Sequence, residues 1–277
     1  MPRKINDKII KKLKEGSLKQ LLAYLKKEQQ RLKLEVRRGG KFNVYYKKCK
    51  VLEVGLSTYS IDKKYFACGE APQDIAQAVE TDPKSYFDKV CMAVDVWLKK
   101  NTRNEFETQQ EIAYHNQQKS DPYIILDMEY QFSQERIEQS ERIKSATFDL
   151  LGIDTTSNNA VFFEVKRGLG SLTDKAGIAS HIDDFEKHFN GVHKDMFLKI
   201  LSENIDNIVK DKNKLGLLDY TLPSDFSVKK VELIFIFEPD NNTDREQYNL
   251  IFDRENTSTH KNDYRTIFVS RGDYKLK

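Results

Sequence analysis

The spacing of apolar positions changes period several times along the chain, and each change predicts an element. Ile9, Ile10, Leu13, Leu18, Leu21, Leu22 and Leu25 form a helical stripe, interrupted at Gly16 and Ser17, where a second helix can start on the serine. From Leu32 the period becomes two. LKLEV and FNVYY flank RRGGK as a hairpin does, and KVLEV, TYSID and KYFAC read as further strands. Residues 1–70 are therefore expected to form a basic helix plus a small antiparallel β module. Residues 71–84, which include Pro72 and Pro83, read as a connection, and 85–277 as the main domain. In that domain Phe87, Val90, Cys91, Val94, Trp97 and Leu98 recur at helical spacing. A break at Asn101 and Thr102 precedes a second helix over Glu105–Gln117, which Asp121-Pro122 stops.

The next pattern is strand-like. In YIILDMEYQF, residues 123–132, alternation puts Ile124, Leu126, Met128 and Tyr130 on one face and Asp127, Glu129 and Gln131 on the other. The polar run SQERIEQSERIK, residues 133–144, predicts a long exposed loop. Residues 145–166 then read as two apolar strands around an Asn-rich turn, with Asp149 in the first and Glu164 and Lys166 near the end of the second. The stretch RGLGSLTDKAG leads to a helix carrying Ile178, Ile182, Phe185 and Phe189 on one face and His181, Asp184 and His188 on another. Met196–Val209 reads as helix, Lys210–Lys214 as a charged turn, and VELIFIF, residues 231–237, as a strand buried on both faces. YNLIF and RTIFV read as two closing strands.

Candidate chemistry concentrates on residues 145–166. Side chains of a strand alternate faces, so Glu164 and Lys166 share a side while Val161, Phe163 and Val165 take the other. Charges on so apolar a strand are costly to bury unless they are paired or hold a metal. Two converging carboxylates offer hard oxygen ligands suited to Mg²⁺, and an adjacent lysine can act on a metal-bound water or offset phosphate charge. A salt bridge at a strand edge accounts for the same residues in plainer terms. Sequential strands usually neighbour one another, which would bring Glu129 to the same pocket. His181, His188 and His193 form no H-E-x-x-H and have no partner cysteine, so zinc is not indicated.

Asp149, fourteen residues, then Glu164-Val165-Lys166 resembles the signature of the PD-(D/E)xK nuclease superfamily, in which an acid on one strand precedes (D/E)-x-K on the next. The phrases ILDMEYQF, FDLLGID, FFEVKRG, GIASHIDDF and EVRRGGKFNVYYKKCKVLEV are similar to a group of bacterial members of that superfamily. The resemblance implies an α/β fold, an αβββαβ restriction-endonuclease-like core with a mixed central sheet. It also implies catalysis by Asp149, Glu164 and Lys166, and Mg²⁺ or Mn²⁺ held by Asp149, Glu164 and the backbone carbonyl of Val165. The helix glutamate that many members use corresponds to Glu107 or Glu111, with Glu107 the better fit. Phe148 stands where the motif's proline would be. Glu129 or Glu107 is expected to support a ligand or a second ion.

Composition narrows the setting. At 277 residues and 39% hydrophobic the chain can bury a sizeable core. Its apolar runs fall far short of the roughly 20 residues of a membrane span. Three scattered cysteines, Cys49, Cys68 and Cys91, suggest neither a disulfide framework nor a zinc site, and a reducing cytoplasm is the expected location. The net charge is +3, but residues 1–50 hold 17 Lys/Arg against 4 Asp/Glu, and the remainder 29 against 39. A basic arm on an acidic domain suits a polyanion. Lys41, Lys47 and Lys48, interleaved with Phe42, Tyr45 and Tyr46, are candidate nucleic-acid contacts, together with Arg167 and His181 beside the acids. The expected function is metal-dependent phosphodiester hydrolysis, with DNA favoured over RNA through the resemblance alone. The alternative is a non-cleaving nucleic-acid-binding or scaffolding protein of the same fold, and a second copy of the chain is a further candidate partner.

Overall fold

A computed structural model describes residues 1–66, 71–132, 145–173, 175–256 and 264–277. The expected loop over 133–144 and Cys68 lie outside them. The described chain divides into two compact units, one of residues 1–110 and 203–222, the other of residues 111–202 and 223–277.

In the first unit two helices, α1 (Asp7–Glu15) and α2 (Lys19–Lys27), bury the predicted leucine and isoleucine stripe. Asn6 caps α1 through its side chain, whereas α2 begins at Leu18 without a side-chain cap, so Ser17 does not play the part expected of it. A meander follows, of β1 (Lys33–Arg37), β2 (Lys41–Tyr46), β3 (Cys49–Val54) and β4 (Tyr59–Ser60), in spatial order β1-β2-β3-β4 and antiparallel throughout. The expected KYFAC strand is replaced over Lys63–Phe66 by a 3-10 turn that buries Tyr65. The expected connection over 71–84 contains α3 (Ile75–Thr81), capped by Asp74. Asp82 then caps α4 (Pro83–Lys100), with Pro83 in its first turn. Proline in this stretch therefore starts a helix, where its missing N–H costs nothing.

Helix α5 (Asn104–His115) contributes residues to both units, as does α7 (Lys194–Leu215), which continues as helix through the expected turn at Lys210–Lys214. Residues 203–222 return to the first unit through buried polar contacts. Lys212 Nζ lies 2.6 Å from Glu35 Oε2, Asp211 accepts from the Ile5 N–H at 2.7 Å, and Asn204 accepts from the Arg3 N–H at 2.8 Å.

The second unit is mixed α/β, built on a five-stranded mixed sheet. Its strands are β5 (Tyr123–Phe132), β6 (Ala146–Asp154), β7 (Ala160–Lys166), β8 (Val231–Phe237) and β9 (Tyr264–Phe268), in that spatial order. β5, β6 and β7 pair antiparallel, and β7, β8 and β9 pair parallel. Helix α6 (Ile178–Phe189) and the start of α7 follow β7. One face of the sheet carries Met128, Leu150, Val161, Phe163, Val165, Ile234 and Ile236 in a continuous core. Phe162, next to Phe163 and so on the opposite face, stacks on Phe148 at 4.4 Å and meets Tyr130, Phe132 and Phe189. YNLIF is helical. It lies in α8 (Asn242–Glu255), capped by Asn241, which buries Tyr248 and Phe252 one turn apart while Leu250 stays exposed. Among the described residues no helix is long and apolar enough to cross a membrane.

Candidate active site

The alternation expected of β5 does not hold along its whole length. All of Ile124, Leu126, Met128 and Tyr130 are buried, but the register shifts between Ile125 and Asp127, and Glu129 has a φ of 56°. Met128 consequently joins the Phe163 core while Tyr130 joins the Phe162 cluster on the other face. β6 switches at the matching place. Leu150 packs with Phe163, and Phe148, two residues earlier, stacks on Phe162. The two residues at these switches are Glu129 and Asp149.

Ladder geometry aligns them. Met128 pairs with Leu150 and Tyr130 with Phe148, so Glu129 occupies the register position opposite Asp149. Leu150 pairs with Phe163, the last rung of the β6–β7 ladder, so the next position sets Asp149 opposite Glu164. An acid thus stands in the same row of three adjacent strands. Where the ladder stops, carboxylates take over its hydrogen bonds. The Asp149 N–H donates to Glu164 Oε1 at 3.3 Å, and the Val165 N–H donates to Asp149 Oδ2 at 3.0 Å.

Lys166 lies on the Glu164 side of β7, as the period of two predicts. Both residues are almost fully buried, with Lys166 Nζ 3.9 Å from Glu164 Oε2 and donating to the Ala176 carbonyl at 2.7 Å. Helix α6 brings His181 Nε2 to 3.2 Å from the same Glu164 oxygen. Arg167 points to acids that follow β8, 3.8 Å from Glu238 and 3.9 Å from Asp240. Gly168, with φ 85°, donates its N–H to the Tyr248 hydroxyl at 2.6 Å. Burial pushes the Tyr248 phenol up, so it accepts that bond in its neutral form.

The remaining expected residues lie elsewhere. Glu107 belongs to the first unit, with its side chain 57% exposed and 4.0 Å from Lys47. Glu111, in the second unit, is 3.4 Å from His115. Lys41 meets Glu53 at 3.0 Å, Lys47 meets Asp95 at 3.2 Å, and Lys48 lies over the Phe106 ring at 4.9 Å. These three lysines are thus engaged with acids and an aromatic ring of their own unit. Sequence reasoning missed the Ala176 carbonyl, for which no side-chain signal exists. It also missed Tyr248, hidden in a stretch read as strand.

Among the described residues no group of three or more His, Cys, Asp or Glu side chains is arranged to hold a metal ion. A magnesium site asks for less, because Mg²⁺ is commonly held by one or two carboxylates and completes its shell with water. Asp149 and Glu164 supply two neighbouring carboxylates, the ligand type such a site uses. No family model, no curated protein and no solved structure matches the chain.

Proposed function

We propose that the protein is a metal-dependent nuclease hydrolysing phosphodiester bonds of nucleic acid, with DNA preferred to RNA. The observation that carries this reading is the row of Glu129, Asp149 and Glu164 on adjacent strands, with Lys166 two residues on and on the Glu164 side. The order α5, β5, β6, β7, α6, α7, β8 lends support, since it is the αβββαβ succession expected of a restriction-endonuclease-like core. In this reading Asp149, Glu164 and the Val165 carbonyl hold Mg²⁺ or Mn²⁺, with Glu129 beside them. When bound, such an ion supplies a nucleophilic water at neutral pH and positive charge against the attacked phosphate. Lys166, anchored by the Ala176 carbonyl, presents a fixed cationic group next to Glu164. His181 orients the same carboxylate from α6.

One observation favours a non-cleaving nucleic-acid-binding protein instead. Glu164 Oε2 is approached by both His181 and Lys166, so its charge is balanced within the chain, as in a purely structural ion network. Labelled single- and double-stranded DNA and RNA, incubated with Mg²⁺, Mn²⁺ or EDTA, separate the two. A nuclease cuts in metal only and loses cutting in Glu164→Gln and Lys166→Met. Binding without cutting by the parent protein would favour the second reading, and cutting indifferent to both substitutions would remove the site.

A further inference from the structure

A cleft of about 540 Å³ opens beside the C-terminal ends of β8 and β9, lined by Pro239, Asp240, Arg245, Thr266, Phe268 and Lys275 among others. Its volume lies within the range of small-ligand sites, roughly 300–1,000 Å³. The ends of parallel strands are where open α/β sheets ordinarily bind ligands.

Two features give the cleft its chemistry. The half-buried Phe268 ring carries the exposed guanidinium of Arg245, centred 4.4 Å from the ring centroid, so a planar cation and an aromatic ring stand together on one wall. The other charges at the cleft are largely balanced. Lys277 meets Asp273 at 3.4 Å, Asp121 holds Lys275, and Asp240 lies 3.9 Å from Arg167. A site that offers stacking surface and one planar cation, but little net positive charge, favours a planar ring over a bare phosphate.

The loop after β8 ties this cleft to the candidate active site. The Glu238 N–H donates to the Lys166 carbonyl at 3.1 Å, and Arg167, next to Lys166, reaches Glu238 and Asp240. Glu238 and Asp240 therefore reach Lys166 and Arg167 at the end of β7, while Pro239 and Asp240 line the cleft.

We propose that the cleft seats an unpaired base of a single-stranded nucleic acid, stacked on the Arg245–Phe268 pair, while the adjoining phosphate backbone runs past Arg167 toward Glu164 and Lys166. The proposal rests on the nucleic-acid reading above for the choice of a nucleotide strand as the occupant and for the direction in which it runs. An unpaired base is required, because in a duplex both faces of each base are already stacked. A free mononucleotide offers the same ring and phosphate, so the test must separate it from a strand.

The experiment is fluorescence anisotropy in EDTA with a fluorescein-labelled single-stranded oligonucleotide, its duplex form, and the free mononucleotide as competitor. It compares the parent with Arg245→Gln and Phe268→Leu. Arg245 is exposed, so its substitution leaves packing intact should Phe268→Leu fold poorly. Each variant is expected to bind the single strand at least about fivefold more weakly, the low end of what base–aromatic stacking contributes. Duplex affinity should change less. Unchanged single-strand affinity in both variants overturns the proposal. So does a mononucleotide that competes at concentrations as low as the unlabelled strand. A parent that binds through Arg245 and Phe268 but never cuts in Mg²⁺ or Mn²⁺ leaves the cleft standing and defeats only the nuclease reading.

Discussion

The carboxylate of Glu164 accepts the main-chain N–H of Asp149 at 3.3 Å, while the carboxylate of Asp149 accepts the N–H of Val165 at 3.0 Å. Each acid thus completes a hydrogen bond that the β6–β7 ladder no longer supplies, because its last backbone rung is Leu150 with Phe163. These side chains have a structural duty as well as a proposed chemical one, and experiments on the site must separate the two.

Alanine at either position removes an acceptor from a largely buried N–H and is expected to lower stability by about 1–3 kcal/mol. Asp149→Asn and Glu164→Gln retain a carbonyl oxygen for the same bond but lose the charge. Asp149→Asn should therefore unfold within about 1 kcal/mol of the parent while losing metal-dependent cleavage, whereas Glu164→Gln, which also takes the carboxylate from the buried Lys166 ammonium, should cost more, and the alanine variants should lose both stability and cleavage. Urea unfolding alongside the cleavage assay checks this, and an Asp149→Asn variant as unstable as Asp149→Ala would show that the bond to Val165 is not what holds the strands.

Lys212 and Glu35, 177 positions apart, form a buried ion pair at 2.6 Å. Removing one member of such a pair leaves a charge in the interior and typically costs about 3–5 kcal/mol. Lys212→Ala should destabilise the first unit by that order, and the double variant Lys212→Met/Glu35→Leu should recover most of the loss. A double variant no better than Lys212→Ala in chemical denaturation would contradict the argument. A fragment ending at residue 110 lacks Lys212 altogether and should not fold as well as the whole chain.

His188 is buried among Phe132, Phe189 and Phe197, with Nδ1 2.7 Å from the Asp184 carbonyl. Burial holds its pKa below the ordinary 6.5, an effect the Asp184 carbonyl and carboxylate only partly oppose. A histidine depressed on folding contributes stability that is present above its unfolded pKa and is lost as pH falls through the folded value. The second unit should therefore weaken as pH falls below about 6.5, the ordinary histidine value. In His188→Asn, which keeps a donor near Nδ1 but does not titrate, that slope should shrink. Parallel stability curves for parent and variant from pH 8 to pH 5 would refute the assignment.

Gly152 faces β5 at close quarters. A Cβ there would stand 2.9 Å from the Ile124 carbonyl oxygen, 3.1 Å from Phe163 Cε2 and 3.2 Å from Ile125 Cδ1. Because the nearest obstacle is backbone, Gly152→Ala must push β5 and β6 apart, and a loss of about 1–3 kcal/mol is expected. Thermal unfolding measures it, and an unchanged midpoint would mean that the sheet yields at that point.

The sequence by itself determined the elements whose pattern is local. The strand-like composition of YIILDMEYQF and the continuous apolar run VELIFIF place β5 and β8 at the observed bounds, although the alternation of faces within β5 breaks, and the stripe from Phe87 to Leu98 places α4. It also determined that Glu164 and Lys166 share a side, because β7 is regular and a separation of two residues in a strand admits no other outcome. Tertiary structure decided what depends on partners. YNLIF satisfies either period, and it became helix because Asn241 caps it and Tyr248 and Phe252, four residues apart, both find buried contacts. The return of residues 203–222 to the first unit depends on Asn204, Asp211 and Lys212, which read as ordinary helix surface until Arg3, Ile5 and Glu35 supply their partners. The row of Glu129, Asp149 and Glu164 likewise arises from strand register and from the switch of faces in β5 and β6. No single strand's pattern encodes either, because register is set by packing on both sides of the sheet at once.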